Sequence, residues 1–169
     1  RLRTMASITP SASDNVMIAL RKIIQAIDLN SRQLVKRVGL TGPQLIILRE
    51  ISGSDEVTAG EIAQAVSLSQ ATVTGIMDRM EKRGLIARKR SEHDKRKIMI
   101  RITDAGQDIV ESAPPLMQEA FTQRFTSLPA WEQNMILSAL HRLVSIMDAK
   151  AIQAAPFLAT NIIGEQTET

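Results

Sequence analysis

A dense run of basic side chains lies just past the middle of the chain, in the stretch RKRSEHDKRKIMIRIT at residues 88–103. Residues 82–101 contain nine Lys or Arg against two acidic residues, a net charge of +7, so the rest of the chain carries −4 and the total is +3. A solvated surface usually mixes both signs, whereas a one-signed cluster suits a polyanion. Ionic contact with a polyanion is therefore the predicted chemistry, and a merely solvated charged surface is the alternative.

The same stretch predicts a β-hairpin that presents these charges. Ile98, Ile100 and Ile102 alternate with Met99 and Arg101, which is the period of a half-buried strand. The residues that begin the stretch are predicted to form the partner strand. The segment SEHDKRK between the strands lacks an Asn-Gly or Asp-Gly pair, so we expect a longer, mobile loop instead of a tight two-residue turn.

Two short helices are predicted immediately upstream, in VTAGEIAQAVSLSQATVTGIMDRMEKRGL. Thr58 and Glu61 have the spacing of a capping box, which predicts a helix over 59–66. Ser69 is a good N-cap for the next helix, and Gly84 supplies its stop. An apolar stripe at i, i+3, i+4 and i+7 gives that helix a buried side, formed by Val73, Ile76, Met77 and Met80. Two helices joined by about three residues form a helix-turn-helix, and the following hairpin makes it winged.

The second helix has a free face that suits duplex DNA. Gln70, Thr72, Thr74 and Arg79 offer hydrogen bonds where base edges would be met, with no acid before Asp78. The chain has no Tyr, one Trp and three Phe, so it lacks the stacking platforms of single-strand and RNA binders. Duplex DNA is therefore the predicted polyanion, and a plain helical hairpin within a bundle is the alternative.

Catalysis is not predicted. His93 and His141 are far apart in sequence, and the chain shows neither a metalloprotease spacing, nor a phosphate-cradling glycine loop, nor a nucleophile elbow. The absence of cysteine excludes disulfides, thiolate zinc sites and cysteine nucleophiles. We expect no catalytic residue, no cofactor and no metal site. A winged-helix adaptor that binds protein instead of DNA stays open as the alternative function.

Three segments resemble, in order and spacing, the MarR family of bacterial transcription regulators: LTGPQLIILREI, VTAGEIAQAVSLSQATVTGIMDRMEKRGLIARK and DKRKIMIRITDAG. The resemblance covers residues 20–143 and includes Asp94 and Arg96 of a wing-tip Asp-x-Arg, with Thr103 and Gly106 of a T-x-x-G exit. It implies a homodimeric repressor of transcription that binds double-stranded DNA, and a small-molecule effector of unidentified kind. Residues 19–45 and the extended tail are also similar to the MarR subgroup that controls osmolyte genes, such as those for ectoine synthesis, which implies a role in osmotic stress.

The resemblance also assigns roles to individual side chains. It implies that Arg96 enters the minor groove, that Asp94 helps to hold the wing tip, and that the start of the second helix reads the major groove. Gly75 departs from the family, which commonly has a larger polar residue there; glycine costs a helix about 1 kcal/mol against alanine, so either the backbone needs a close approach or a contact is lost. The predicted DNA-binding residues are Ser69, Gln70, Thr72, Thr74, Arg79, Arg88, Arg90, Asp94, Lys95, Arg96 and Lys97.

Amphipathic segments flank the winged region. Residues 16–38 predict one helix of over twenty residues, and Thr41 with Gln44 predicts a capping box that starts another helix through about residue 51. After the wing, a helix over 103–125 should kink or break near Ala113, because Pro114 and Pro115 remove backbone hydrogen bonds. The segment LPAWEQNMILSALHRLVSIMDAK predicts a last helix with one apolar face. The resemblance implies that the first and last helices interleave with those of a second copy; a monomeric core is the alternative.

The predicted fold class is mainly α with a small β-hairpin wing. Four segments are expected: an N-terminal dimerisation helix at 1–40, a winged helix-turn-helix domain at 41–103, C-terminal dimerisation helices at 104–150, and a tail at 151–169 that packs against a partner or is disordered. No signal-like start and no apolar run of about 18 residues occurs, so we expect a soluble, cytoplasmic protein without a membrane partner. Its operator is predicted to be an imperfect palindrome with half-sites about one helical turn apart.

Overall fold

Helices and one two-stranded hairpin make up the part of the chain that the computed structural model describes, residues 11–92, 94–152, 154, 156 and 158. The two strands are antiparallel, in a register that pairs Ile86 with Ile102 and Arg90 with Ile98. This arrangement confirms the predicted fold class. The elements are α1 (Ala12–Val38), α2 (Gly42–Ser52), α3 (Ala59–Ala65), α4 (Gln70–Lys82), β1 (Ile86–Arg90), β2 (Ile98–Ile102), α5 (Asp104–Ser112), α6 (Met117–Thr126) and α7 (Ala130–Ile146).

The apolar core lies among α2, α3, α4 and the hairpin. No polar or charged side chain is buried among the described residues, so the core is held by apolar burial, which stabilises by about 1.5–3 kcal/mol for each large side chain. The predicted stripe of the second helix is part of this core. The largest fully buried side chains are Leu40, Leu45, Ile47, Leu48, Ile51, Ile62, Ile76, Met77, Met80, Ile100, Val73 and Pro43.

Both predicted capping boxes are present. The Thr58 amide donates to Glu61 Oε2 at 2.8 Å and the Glu61 amide to Thr58 Oγ1 at 3.3 Å, while the Thr41 amide donates to Gln44 Oε1 at 2.9 Å. The hydrogen bonds from Thr58 lower the pKa of the Glu61 carboxyl, with a smaller contribution from Lys97 of the wing. The cap therefore stabilises α3 above the unfolded-state pKa of this carboxyl, and its contribution is lost as the pH falls through the lowered folded-state pKa.

A close junction joins the end of α4, the hairpin and α5. Gly84 has a φ of 71°, as a helix-ending glycine often does. Its carbonyl accepts from Thr103 Oγ1 at 2.7 Å, and the same hydroxyl accepts from the Gly106 amide at 3.2 Å. A Cβ on Gly106 would lie 2.2 Å from the Leu85 carbonyl oxygen. Residue 106 must therefore be glycine, because α5 comes too close to the Leu85 backbone, just before β1, for any side chain there.

The hairpin differs from the predicted strand pair in two details. Val57 and Ile100 exchange backbone hydrogen bonds of 3.2 and 2.8 Å, an isolated antiparallel bridge that the sequence did not indicate. Ile100 is buried and Ile102 is partly buried, but Ile98 is 52% exposed. The alternating strand pattern is thus buried only at its core end, because Ile98 lies opposite Arg90 at the outer end of the hairpin.

The chain after the wing breaks where the prolines predicted. α5 ends at Ser112 and α6 begins at Met117, with Ala113 in an extended conformation at ψ 137°. Pro114 and Pro115 have no amide to donate, so a continuous helix would lose its hydrogen bonds there. The new helix starts with the Leu116 amide donating to Glu119 Oε2 at 3.0 Å. The predicted break near Ala113 is confirmed.

The helices α6 and α7 stand apart from this core, and α1 reaches it only near its end, through Leu34 and Val38. The predicted long first helix is confirmed as a helix of 27 residues, of which only Leu34 is buried, and neither α6 nor α7 has a buried residue. The tail predicted at 151–169 lies mostly outside the described residues. Large exposed apolar side chains on the three helices are Val16, Met17, Ile18, Ile23, Ile24, Leu29, Val35, Phe121, Trp131, Met135, Leu137, Leu140, Val144 and Ile146.

We expect Gly106→Ala to destabilise the fold by about 1–3 kcal/mol, because the new methyl group must displace the Leu85 carbonyl. Gly60→Ala is the matched control: a Cβ there meets nothing within 4 Å, so the change should be neutral or stabilising by about 0.5–1 kcal/mol. Urea unfolding followed by circular dichroism measures both. Equal midpoints for Gly106→Ala and the parent protein would contradict the close junction.

Candidate nucleic-acid interface

The orientation of α4 is set by its buried stripe. Val73, Ile76, Met77 and Met80 face the core, so the opposite side of the helix must face solvent. Gln70 and Thr74 are exposed on that side and Thr72 is partly exposed. The start of the helix, where small polar side chains were predicted to read DNA, is therefore an open surface.

Hydrogen bonds within α4 restrict what these side chains can offer. Ser69 caps the helix by accepting from the Thr72 amide at 3.1 Å, and the two hydroxyl oxygens lie 2.8 Å apart. The Thr74 hydroxyl donates to the Gln70 carbonyl at 2.8 Å. Thr74 is thus left with acceptor lone pairs and a methyl group, whereas the exposed Gln70 amide offers both a donor and an acceptor. A glutamine amide of this kind can pair in bidentate fashion with adenine in the major groove.

Gly75 lies on the partly exposed side of α4. A Cβ built there meets nothing within 4 Å, so the protein itself does not need glycine at this position. The two explanations offered from sequence, a close approach of DNA backbone or a lost side-chain contact, both remain.

The wing tip is held by its own backbone and by one carboxylate. The Ser91 amide donates to the Lys97 carbonyl at 3.0 Å, and the Lys97 amide to the Asp94 carbonyl at 2.9 Å. Asp94 Oδ1 accepts from the Arg96 amide at 3.0 Å. Asp94 therefore stabilises the turn that carries Arg96. His93 lies outside the described residues.

The basic side chains of the wing divide into two groups. Arg88 is only 24% exposed and pairs with Asp78 at 2.7 Å and Glu81 at 3.2 Å, so its charge is used to join β1 to α4. Lys89 pairs with Glu92 at 2.7 Å, which lowers the pKa of the Glu92 carboxyl, and Arg101 pairs with Glu56. Four exposed cations make no ion pair with any described residue: Arg90, Lys95, Arg96 and Lys97.

The structure thus brings the predicted residues to two surfaces, the start of α4 and the tip of the wing. Arg88 lies between them with its guanidinium turned to the α4 carboxylates, and Arg79 on α4 is partly buried, its Nε without a hydrogen-bond partner among the described residues. Their roles at DNA stay predictions. The acids that pair with Arg88 are a signal that sequence reasoning could have used, because Asp78 and Glu81 lie one turn apart on the helix that precedes β1.

Other kinds of site have little support in the part of the chain that the structure describes. No group of three or more His, Asp or Glu side chains there could hold a metal ion. Within the same residues, no helix combines the length and the apolar character needed to cross a membrane.

The fold and this basic surface are those of the winged helix-turn-helix class. More particularly, residues 38–97 match the family model described as MarR family. The matched residues run from the end of α1 to the wing tip, so they include α4 and all but the last strand of the hairpin.

The similar proteins agree with that class. The Homoprotocatechuate degradative operon repressor of Escherichia coli is 28% identical over 137 residues, which cover 81% of this chain and 93% of that protein. A MepR-like protein complexed with pseudoligands shares the fold at a TM-score of 0.57 and 22% identity, over 82% of this chain and 97% of that one. The Staphylococcus aureus MepR–DNA complex shares the fold at a TM-score of 0.56 and 21% identity, over 82% of this chain and 99% of that one. The curated relatives that the chain matches are transcription regulators by name, not enzymes.

We expect Arg96→Ala to weaken binding to a selected duplex site by about 1–3 kcal/mol, because an unpaired guanidinium at the wing tip is free to enter a narrow groove of negative potential. Lys89→Ala is the matched control, since Glu92 already neutralises that charge. Affinity is measured by fluorescence anisotropy at one salt concentration, and the melting temperature checks the fold. A loss below about 1 kcal/mol for Arg96→Ala would rule out the groove contact.

Proposed function

We propose that this protein is a homodimeric repressor that binds a palindromic operator in double-stranded DNA. The observation that carries the proposal is the presence of two surfaces on one lobe. One is the open start of α4, and the other is the wing tip, with four cations that form no ion pair with any described residue. The first offers hydrogen bonds to base edges and the second offers charge to phosphates, the two contributions that a sequence-specific DNA binder combines.

In this proposal each surface has its own task. Ser69, Gln70, Thr72 and Thr74 meet base edges in the major groove, and Arg96 enters the adjacent minor groove. Arg79, Arg90, Lys95 and Lys97 contact phosphates, while Arg88 and Asp94 hold the hairpin against α4 and shape its tip. The phosphate contacts give affinity for any sequence, whereas the α4 contacts discriminate among sequences.

The exposed apolar side chains support the dimer. On α1 and α7, Ile24 is 61% exposed, Leu140 43% and Ile146 67%, and they belong to continuous apolar stripes. Monomeric proteins rarely leave so large an apolar surface open. A second copy of the chain is the occupant we propose, with segments 1–40 and 104–150 forming the dimer interface and 41–103 the DNA-binding domain.

A two-fold dimer places its two α4 helices in successive major grooves. The half-sites of the operator should then be about 34 Å apart, or one helical turn. Repression is favoured because the relative from Escherichia coli is an operon repressor. A regulator of this kind acts where the chromosome is, so we propose a cytoplasmic location.

Selection from a random duplex library should enrich an imperfect palindrome with half-sites about one helical turn apart. Leu140→Glu should produce a monomer, seen by sedimentation, that loses most operator binding, because a charge then lies in the apolar interface. Gln64→Glu, at an exposed position of α3, is the control and should stay dimeric.

Two other results would redirect the proposal. Enrichment of no sequence, together with binding to a protein partner, would favour the winged-helix adaptor. A parent protein that sediments as a monomer would overturn the dimer.

The signal that releases DNA has two candidates. A cavity of about 170 Å³ lies between α1 and the break after α5, lined by Asn30, Gln33, Leu34, Arg37, Pro114, Pro115 and Leu116. Its amides and cation favour a small ligand that carries an anionic group, and the homoprotocatechuate relative suggests an aromatic acid. The resemblance to regulators of osmolyte genes suggests instead that ionic strength contributes to release during osmotic stress.

A salt titration separates these signals. If each chain neutralises three to five phosphates, operator affinity should fall roughly 10³ to 10⁵-fold between 50 and 200 mM salt. Ionic control predicts that the ratio of operator to scrambled-DNA affinity also falls over this range. A phenolic acid that raises the melting temperature and releases operator at constant salt would instead establish the ligand, and Arg37→Gln should weaken that response.

A further inference from the structure

The winged region meets the flanking helices at two short connections. The winged lobe is defined here as residues 42–112, from α2 to the end of α5. The first joint, residues 39–41, links α1 to the lobe, and the second joint, residues 113–116, links the lobe to α6. Neither joint is helix or strand. Leu34 of α1, Leu40 of the first joint and Leu116 of the second joint are buried in the apolar core, and other contacts of α1 and α6 with the lobe are sparse. The polar contacts across the joints can therefore set the angle of the lobe about these apolar anchors.

An arginine of the lobe spans the first joint. Arg83 follows α4 directly, and its Nη1 donates to the Gly39 carbonyl at 2.7 Å. Gly39 ends α1 with a φ of 70°, and a Cβ there would lie 3.0 Å from Arg83 Nη2. A cation at the carboxyl end of a long helix also meets the negative end of its dipole. The end of α4 is thereby tied to the end of α1, 44 residues away in sequence.

A second arginine spans the second joint in the same manner. Arg49 of α2 donates from Nη2 to the Pro114 carbonyl at 3.2 Å and from Nη1 to Glu119 Oε1 at 2.5 Å. The other oxygen of Glu119 accepts from the Leu116 amide at 3.0 Å, which starts α6. Arg49 thus holds both the broken backbone and the first turn of the helix beyond it.

We propose that Arg83 and Arg49 are positioning residues that hold the winged lobe at a fixed angle to α1 and α6. In the dimer this angle sets the separation of the two α4 helices and hence the half-site spacing that the protein accepts. The consequence for DNA rests on the proposed function, whereas the fixed angle within one chain does not. Both side chains lie outside the apolar core, so removing them loosens the joints without opening the core.

Two introduced cysteines test the angle directly, because the natural chain has none. Ala26→Cys on α1 and Gln64→Cys on α3 are exposed positions, and spin labels there report the distance between α1 and the lobe in chains diluted with unlabelled protein. We expect a narrow distance distribution in the parent. The control is the double variant Lys22→Gln with Lys36→Gln, which removes two cations of α1 that form no ion pair with any described residue, and its distribution should be equally narrow. Arg49→Gln with Arg83→Gln should broaden or shift the distribution while the core melts as before.

Binding to operators with altered half-site spacing provides the second readout. The parent should prefer one spacing, and the double arginine variant should lose roughly fivefold or more of that preference at an unchanged salt slope. A lower salt slope with the spacing preference intact would mean that these arginines contact phosphates, which overturns the proposal. An unchanged distance distribution, or one already broad in the parent, overturns it too. If the parent shows no sequence preference for duplex DNA, the proposed function fails and the distance measurement still decides the positioning role.

Discussion

The burial of one side of α4 is the constraint on which the interface depends. Val73 and Met80 are fully buried and Ile76 and Met77 nearly so. Each contributes about 1.5–3 kcal/mol by leaving water, so the helix cannot roll about its axis without a large loss of stability. Because the inner side is held, the outer side is held as well. The polar start of α4 therefore keeps one orientation.

Charge in the wing is arranged by distance from this core. Near α4, Arg88 pairs with Asp78 and Glu81, so these two carboxylates neutralise its charge. Towards the tip, cations without ion pairs predominate among the described residues. A field that grows away from the body of the protein attracts a polyanion to the tip first. The backbone hydrogen bonds of the tip limit how far its charges can move before that encounter.

Local features of the structure were predictable because each depends on residues close together in sequence. The capping boxes, the stripe of α4, the turn at Gly84 and the break at Pro114 all follow from spacing within about four residues. The fold class follows from their order. The open surface at the start of α4 follows from the same spacing, since its polar positions lie opposite the buried stripe.

Features that join distant segments were not predictable in this way. Arg83 reaches Gly39 across 44 residues and Arg49 reaches Glu119 across 70, and one sequence carries no signal for such pairs. The bridge of Val57 is a single residue long, too short to produce a period. Ile98 obeys the strand pattern and is nevertheless exposed, because the pattern records the two faces of a strand and not where the core ends.

The open apolar surface of α1 and α7 also affects the steady-state abundance of this protein in a cell. If dimerisation covers that surface, the free energy of unfolding rises with protein concentration, as for any folded state stabilised by a partner. Newly made chains at low copy number would be the most exposed to proteases and chaperones, and chains in an established pool the least. The amount of folded regulator would then fall by a larger factor than its rate of synthesis. A modest fall in expression would cause a greater loss of the protein.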